Sequence, residues 1–451
     1  MLRIPRVLKE FSSHLIKAGY SCYLVGGAVR DMLIHRPFTD YDVATDARPE
    51  AVMKIYRRVI TTGIKHGTVT VLFKGIQIEV TTFRTESDYL DGRRPARVAF
   101  SPSILEDLKR RDFTINAMAW DLAGGVLLDP HQGQADLKAG IIRAIGDPGE
   151  RFSEDGLRPV RACRFAAQFN FEIEPQTFES IPGALETVKQ VSAERIRDEL
   201  IRILAAEQPS LGFLALHECG LLAIILPELE KGVGVEQREM HCFDVFTHLI
   251  YSCDAAPADS LLLRLSALLH DIGKPGTLSS DADGTAHFFG HEELSAQLAE
   301  KILLRLRFPN ELIHTVSHLV RHHMFNYTEE WTDAAVRRFI ARAGEEHVPA
   351  LLALRRADQV GMCNRRAVSH SLIAFEKRIE KVLAAGGALN LKSLTIDGND
   401  LMRHLDLSPG PQVGLVLNFL LEAVLDDPSL NERARLLKMA ERFYRERLKT
   451  S

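Results

Sequence analysis

The chain has 451 residues, 46% of them hydrophobic and 26% charged, and a formal net charge of -4. That length predicts about two to four units, each burying its own core, and the balance excludes a disordered or fibrous chain. No uncharged apolar run of about 18 residues is present, which excludes a membrane-spanning helix, and the mild acidity argues against a protein coated in positive charge while leaving room for a local basic surface.

The amino-terminal run MLRIPRVLKEF mixes charges with apolar residues where a signal peptide needs an unbroken apolar core, so a cytoplasmic location is expected. From Tyr20 to about Arg84, short β-rich runs (CYLVGG, YDVAT, GTVTVLF, IQIEVTTF) alternate with helical stretches such as PEAVMKIYRRV, the pattern of a small α/β unit. After about Ile141 strand signals nearly vanish. Helical periodicity takes over in ERIRDELIRIL, LLLRLSALLHDI, SAQLAEKILLRLRF, VGLVLNFLLEAVL and ERARLLKMAERFY. The predicted fold class is therefore α+β, a mixed head on a mostly α-helical body. Loops rich in Gly, Pro and Asp near 146–150, 227–237 and 384–390 supply joints, giving a head at 1–140, a helical neck at 141–235, a second helical domain at 236–385 and a tail at 386–451. Cys22, Cys163, Cys219, Cys242, Cys253 and Cys363 form no CxxC pair, so buried free thiols are expected rather than a disulfide framework or a thiolate metal site.

In the head, Asp40 and Asp42 are two apart, a spacing that on a strand turns both carboxylates to one face. In Ile76-Gln77-Ile78-Glu79-Val80, alternation buries Ile76, Ile78 and Val80 and puts Glu79 on the opposite face. If the two strands pair, three carboxylates share one place, where Mg²⁺ ions about 4 Å apart would activate an attacking hydroxyl and neutralise a departing pyrophosphate. Upstream, Gly26 and Gly27 stand between a strand-like and a helix-like run, where backbone can approach an anion such as a triphosphate, and Arg30 follows three residues later.

GGAVRD (26–31), DYD (40–42), RRDFTINAMAWD (110–121) and EDGLRPVRACRF (154–165), in that order and spacing, resemble the bacterial class II CCA-adding enzymes and their close relatives, the bacterial poly(A) polymerases. The resemblance implies a polymerase-β-like nucleotidyltransferase head in which Asp40 and Asp42 hold Mg²⁺ and Glu79 is the third carboxylate. It also implies that Gly27 and Arg30 lie near the incoming nucleotide and that Arg111, Asp112 and Asn116 line its pocket. Cytosine and adenine share an amine donor beside a ring-nitrogen acceptor, a pattern that one carboxylate and one guanidinium can read. Asp155 and Arg158, three apart at a helix start, are expected on one face to do so, with Arg161 and Arg164 reaching the triphosphate. The family often carries proline directly after its Glu-Asp pair; here that position is Gly156 and a proline follows at Pro159, so the helix is expected to start later or bend there. The polar stretch between Arg84 and Arg111 is similar to the mobile loop of members that add the terminal A.

In the body, His248, His270-Asp271, His291, His322-His323 and Asp358 resemble the metal-ligand series of the HD phosphohydrolase superfamily, with LLHDIGKP (268–275) as core motif. That resemblance implies a second divalent metal, Ni²⁺, Mn²⁺ or Mg²⁺, and either phosphate-ester hydrolysis or a scaffold role. Lys438, Arg442, Arg445 and Arg447 make the last helix basic enough to approach RNA phosphate. The reading that follows is template-independent addition of CCA to tRNA from CTP and ATP, with no membrane partner. Its rivals are an A-adding enzyme, which no residue here separates from it, a poly(A) polymerase, which usually ends in a basic extension, and an HD phosphohydrolase with a nucleotide-sensing head.

Overall fold

The structure, a computed structural model, describes residues 4–448 apart from 62, 65–66, 90–94, 238–241, 282–285, 364–367 and 387–388. The chain divides into two compact units, residues 1–230 with 305–307, and residues 231–304 with 308–451.

In the first unit, helix α1 (Arg6–Lys17) precedes strand β1 (Tyr23–Val25), helix α2 (Gly27–Leu33), strand β2 (Tyr41–Thr45) and helix α3 (Pro49–Ile55). Strands β3 (Val59–Ile60), β4 (Thr68–Phe73) and β5 (Ile76–Thr82) follow. A hairpin of β6 (Arg84–Tyr89) and β7 (Pro95–Phe100) stands apart from the sheet, and helix α4 (Ile104–Lys109), a 3₁₀ turn at Thr114–Asn116, strands β8 (Ala119–Asp121) and β9 (Leu127–Leu128), and helix α5 (Gly133–Ala139) complete the head. The sheet order is β3-β4-β5-β2-β1-β8-β9, with only the β2/β5 pair parallel. Alternation in β5 works as the sequence implies: Ile78, Val80 and Thr82 are buried while Gln77 and Glu79 face solvent. Ile76, at the strand end, is half-buried. The stretch expected as a loop between Arg84 and Arg111 is instead largely the β6/β7 hairpin and α4, and its tip at 90–94 lies outside the described residues.

Helix α6 (Pro148–Glu154) starts where a joint was expected: the Asp147 side chain accepts the Glu150 N–H at 2.8 Å, and Pro148 sits where no helix bond is lost. Helix α7 (Leu157–Phe169) follows after a two-residue break. Pro159 is thus in the first turn of α7, where its missing N–H costs nothing, and the helix does begin later than an unbroken run would. Gly156, in the break, is required by contact: a Cβ there would come within 2.5 Å of the Thr187 carbonyl oxygen. The helix Ala193–Leu204 packs against α7 with Ile196, Leu200, Ile203 and Leu204 buried.

Among its described residues the second unit has helices and turns, with short two-residue strands at Ser279–Ser280 and Ala286–His287. The helices Val245–Ala255, Leu261–Leu269, Asn310–His322 and Val348–Gly361 pack on one another. A core of Phe339, Ile340, Leu351, Leu354, Phe375 and their neighbours fills this body, and Leu401, Val416, Leu420, Val424 and Leu436 form a separate core in the tail. One expectation from the cysteines fails. Cys242 and Cys363 are joined in a disulfide across 121 residues, tying the segment before helix Val245–Ala255 to the end of helix Val348–Gly361. Cys22, Cys163, Cys219 and Cys253 are free and buried, as expected of them.

Candidate active site

Parallel pairing of β2 with β5 sets Asp42 directly opposite Glu79, and opposed residues of neighbouring strands turn to the same face. Asp40 lies two residues earlier, just ahead of β2, and is exposed. Burial raises the Asp42 carboxyl above its usual range, with Asp40 adding to the rise and Arg111 opposing it. Crowding by protein and then the Asp42 charge raise Glu79, although that side chain keeps an open side to solvent. Two carboxylates that both resist being charged, with Asp40 two residues ahead of one of them, fit a divalent cation with oxygen ligands. Gly26, at φ +70°, begins the turn into α2; a Cβ there would meet the Arg111 Nη1 at 2.8 Å, so a glycine lets that guanidinium lie across the end of β1.

The expected nucleotide pocket is a connected network. Arg30 donates from Nε and Nη2 to Asp31 at 2.9 and 3.1 Å and from Nη1 to Asn116 at 2.6 Å, while its face covers the Phe169 ring at 4.5 Å. Asn116 donates to Asp112 Oδ1 at 3.0 Å, and Arg161 donates from Nε to Asp112 Oδ2 at 2.8 Å. Burial would raise the Asp112 carboxyl, but Arg161 and the hydrogen bonds from Asn116 and the Phe113 N–H outweigh it and hold it well below the ordinary carboxylate range. Glu199, 2% exposed in helix Ala193–Leu204, pairs with Arg164 at 2.5 Å and Arg202 at 3.2 Å. Burial pushes the Arg164 guanidinium down to about 9, with Glu199 opposing the fall and Arg161 and Arg202 adding to it. Glu199 was not expected from sequence, yet its four-residue spacing from Arg195 on a helical run places the two on one side of that helix.

Asp155 departs from expectation. It is not on a helix face with Arg158 but in the break between α6 and α7, with extended backbone at φ -145° and ψ 108°. Its Oδ1 accepts the Leu157 N–H at 3.0 Å and its Oδ2 accepts from Arg195 Nη2 at 2.7 Å. Arg158 turns back on α6, donating to the Arg151 carbonyl at 2.8 Å, to Glu154, and to the Arg110 carbonyl at 3.1 Å. Two cavities gather the head residues. One of about 1110 Å³ is lined by Gly26, Gly27, Arg30, Asp40, Asn116 and Arg164 among others. The other, about 340 Å³, is lined by Glu79, Asp155, Arg158 and Arg195, and Asp42, Arg111, Asp112 and Arg161 border both.

In the second unit, His248, His270, Asp271, His291, His323 and Asp358 converge in the interior, all buried. Asp271 Oδ2 lies 3.4 Å from both His248 Nε2 and His270 Nε2, and its Oδ1 lies 3.1 Å from His291 Nε2 and 3.3 Å from His323 Nε2. Asp358 Oδ1 is 3.3 Å from His248 Nε2 and 3.5 Å from His270 Nε2. Two three-residue ligand groups result, sharing Asp271: one with His248 and His270, the other with His291 and His323. Asp271 Oδ1, His291 Nε2 and His323 Nε2 are buried and face one another without a hydrogen bond among the described residues, a donor set that fits a metal ion. Lys274, inside LLHDIGKP but not singled out from the sequence, stands three residues after Asp271 and donates to its Oδ2 at 2.6 Å. His322 is corrected: successive helical side chains diverge by about 100°, so with His323 turned inward it points elsewhere and packs its ring 4.6 Å from that of His318. In the tail, the expected basic helix is partly neutralised, because Arg442 pairs with Glu446 and Arg445 with Glu441.

Residues 22–143 match the poly A polymerase head domain, 170–232 the probable RNA and SrmB-binding site of polymerase A, and 238–362 the HD domain. A CCA-adding enzyme of Levilactobacillus brevis is 34% identical over 93% of this chain and 94% of its own. One of Enterococcus faecalis is 33% identical over 97% of each. A crystal structure of the Bacillus stearothermophilus CCA-adding enzyme in complex with CTP superposes with a TM-score of 0.77 at 28% identity, covering 99% of both chains. No described helix is long and apolar enough to cross a membrane.

Proposed function

Because the chain belongs to the CCA-adding enzyme family, we propose that it extends the 3′ end of tRNA with C and A taken from CTP and ATP, in the cytoplasm. The observation that carries this reading is the register of Asp42 against Glu79, with Asp40 two residues before, on cavities shared with Arg111, Asp112 and Arg161. Asp40, Asp42 and Glu79 would hold Mg²⁺, which supplies activation of the RNA hydroxyl and charge neutralisation at the leaving pyrophosphate. Arg161 and Arg164, crowded and positive, bind the triphosphate, and Arg30 and Asn116 hold Arg161 in place through Asp112. Asp155 accepts from the exocyclic amine and Arg158 donates to the ring nitrogen of C or A, so uracil and guanine would leave those groups unpaired. In this reading residues 1–140 transfer the nucleotide, 141–235 select it, 236–385 form the HD domain and 386–451 hold tRNA, with Lys438 and Arg447 on the last helix. Purified protein with Mg²⁺ should extend tRNA ending at the discriminator base, and tRNA ending in CC, to a single CCA end when CTP and ATP are supplied. Extension of the CC-ended tRNA alone would identify an A-adding enzyme, and long A tails a poly(A) polymerase.

A second activity is favoured by the sharing of Asp271 between two candidate ligand groups: phosphate-ester hydrolysis by a pair of divalent ions, Ni²⁺, Mn²⁺ or Mg²⁺, held by His248, His270, Asp271, His291 and His323, with Asp358 beside His248 and His270. Metal analysis should count two ions per chain in this unit, reduced to one in the double variant His291→Ala, His323→Ala. Absence of 2′,3′-cyclic nucleotide hydrolysis with any of the three ions would leave the domain a scaffold.

A further inference from the structure

Arg195 is the residue whose placement neither helix stability nor triphosphate binding accounts for. It stands in the first turn of helix Ala193–Leu204, where a positive charge opposes the helix dipole. Its guanidinium makes one hydrogen bond among the described residues, from Nη2 to Asp155 Oδ2 at 2.7 Å, and its Nη1 is buried without a hydrogen-bond partner among them. It lines the smaller cavity together with Asp155 and Arg158. Arg158 donates from Nη1 and Nη2 to Glu154 and two backbone carbonyls, so each half of the base-reading pair rests on a group of opposite polarity. Asp155, in an extended break and not on a helix, has its side chain fixed by two donors: the Leu157 N–H holds Oδ1 and Arg195 holds Oδ2.

We propose that Arg195 is a specificity-determining positioning residue: by binding Asp155 Oδ2 it fixes the direction of the carboxylate's remaining lone pairs, and so sets the preference for bases that present an amine. The inference rests on Asp155 and Arg158 being the base-reading pair. A carboxylate accepts only, and one pinned at both oxygens offers its free lone pairs along fixed directions, whereas a mobile one reorients and lets a protein or water donor take the place of the amine. Loss of Arg195 therefore affects choice more than rate.

The test measures kcat and KM for CTP, UTP, ATP and GTP on tRNA ending at the discriminator base and in CC, for the full chain and for Arg195→Ala, Arg195→Lys and Arg195→Gln. In Arg195→Ala the ratio of kcat/KM for CTP over UTP should fall by about tenfold or more, through a higher KM for the correct nucleotide, and Arg195→Lys, whose ammonium can still meet the carboxylate, should restore part of it. Arg195→Gln provides the same comparison should the alanine variant fail to fold. Discrimination equal to the parent in the variants that fold, or a parallel loss of rate with all four nucleotides, overturns the inference while leaving CCA addition intact. A parent chain that adds neither C nor A to tRNA overturns both.

Discussion

Asp42 is held where burial makes its charge unwelcome. A carboxyl whose folded pKa lies above its unfolded value contributes stability that is complete below the unfolded pKa and is lost as pH rises through the folded one. Asp42 and Glu79 both shift upward, so at neutral pH in a chelator they work against the fold. Asp42→Asn should accordingly raise the melting temperature in chelator, abolish the further rise that Mg²⁺ gives the parent chain, and lower CCA addition at least about a thousandfold. A lower melting temperature in chelator would contradict this account. Asp112 has the opposite sign: its folded pKa is depressed, so its contribution is present above the unfolded carboxylate range and is lost as pH falls towards the folded value. Asp112→Ala leaves Arg161 with Glu199 alone among the described carboxylates, at 3.7 Å, and denaturant titration at pH 7 should show a loss of about 1.5–3 kcal/mol, less at pH 3. Residue spacing made some of this legible. The alternation of IQIEV fixes which side chains share a face, because a strand permits only two faces, whereas Asp40 falls just ahead of β2, where the two-residue gap of DYD no longer places it. The adjacent His322 and His323 carry no such information, since the helix phase that turns one inward is decided by residues packed elsewhere in the body.

The break between α6 and α7 decides most of what the neck can do. It places Asp155 off the helix, and it exists because Gly156 lies against the Thr187 carbonyl with no room for a side chain. Gly156→Ala should cost about 1–3 kcal/mol by overpacking and should also weaken discrimination between CTP and UTP, since Asp155 is the neighbouring residue. Unfolding curves and single-nucleotide incorporation on the same preparation separate the two effects. Gly156 and Pro159 signalled a later helix start or a bend, and α7 does begin at Leu157, but they did not show that Asp155 would fall inside the break instead of on a helix face with Arg158. Where elements carried strong local signals, as in β4, β5 and the long helices of the body, composition and period sufficed. The hairpin β6/β7 was read as loop because ESDYLDGRRPARVAF offers polar residues and glycine where strand signals would be apolar.

At the scale of the whole molecule, two clusters of candidate acidic and imidazole ligands occupy separate compact units, Asp40, Asp42 and Glu79 in one and the set around Asp271 in the other. Their chemistries should therefore be separable. Asp40→Ala should eliminate CCA addition and leave hydrolysis of 2′,3′-cyclic nucleotides within about twofold of the parent, and Asp271→Ala should do the reverse. Coupled loss in either variant, with the melting temperature unchanged, would show the two activities to be linked. The Cys242–Cys363 bond gives the chain a property that neither cluster expresses. Because it joins positions 121 apart, the oxidised polypeptide remains a ring with two tails even when every other contact is gone. Such a looped polymer is more compact than a linear one of equal mass, so in a denaturing gel the oxidised chain should run ahead of the reduced chain, and Cys363→Ser should abolish the difference. A single band at the linear position would mean that no ring forms. The same gel, run on cell extract with thiols trapped at lysis, reads which topology the protein carries where it works.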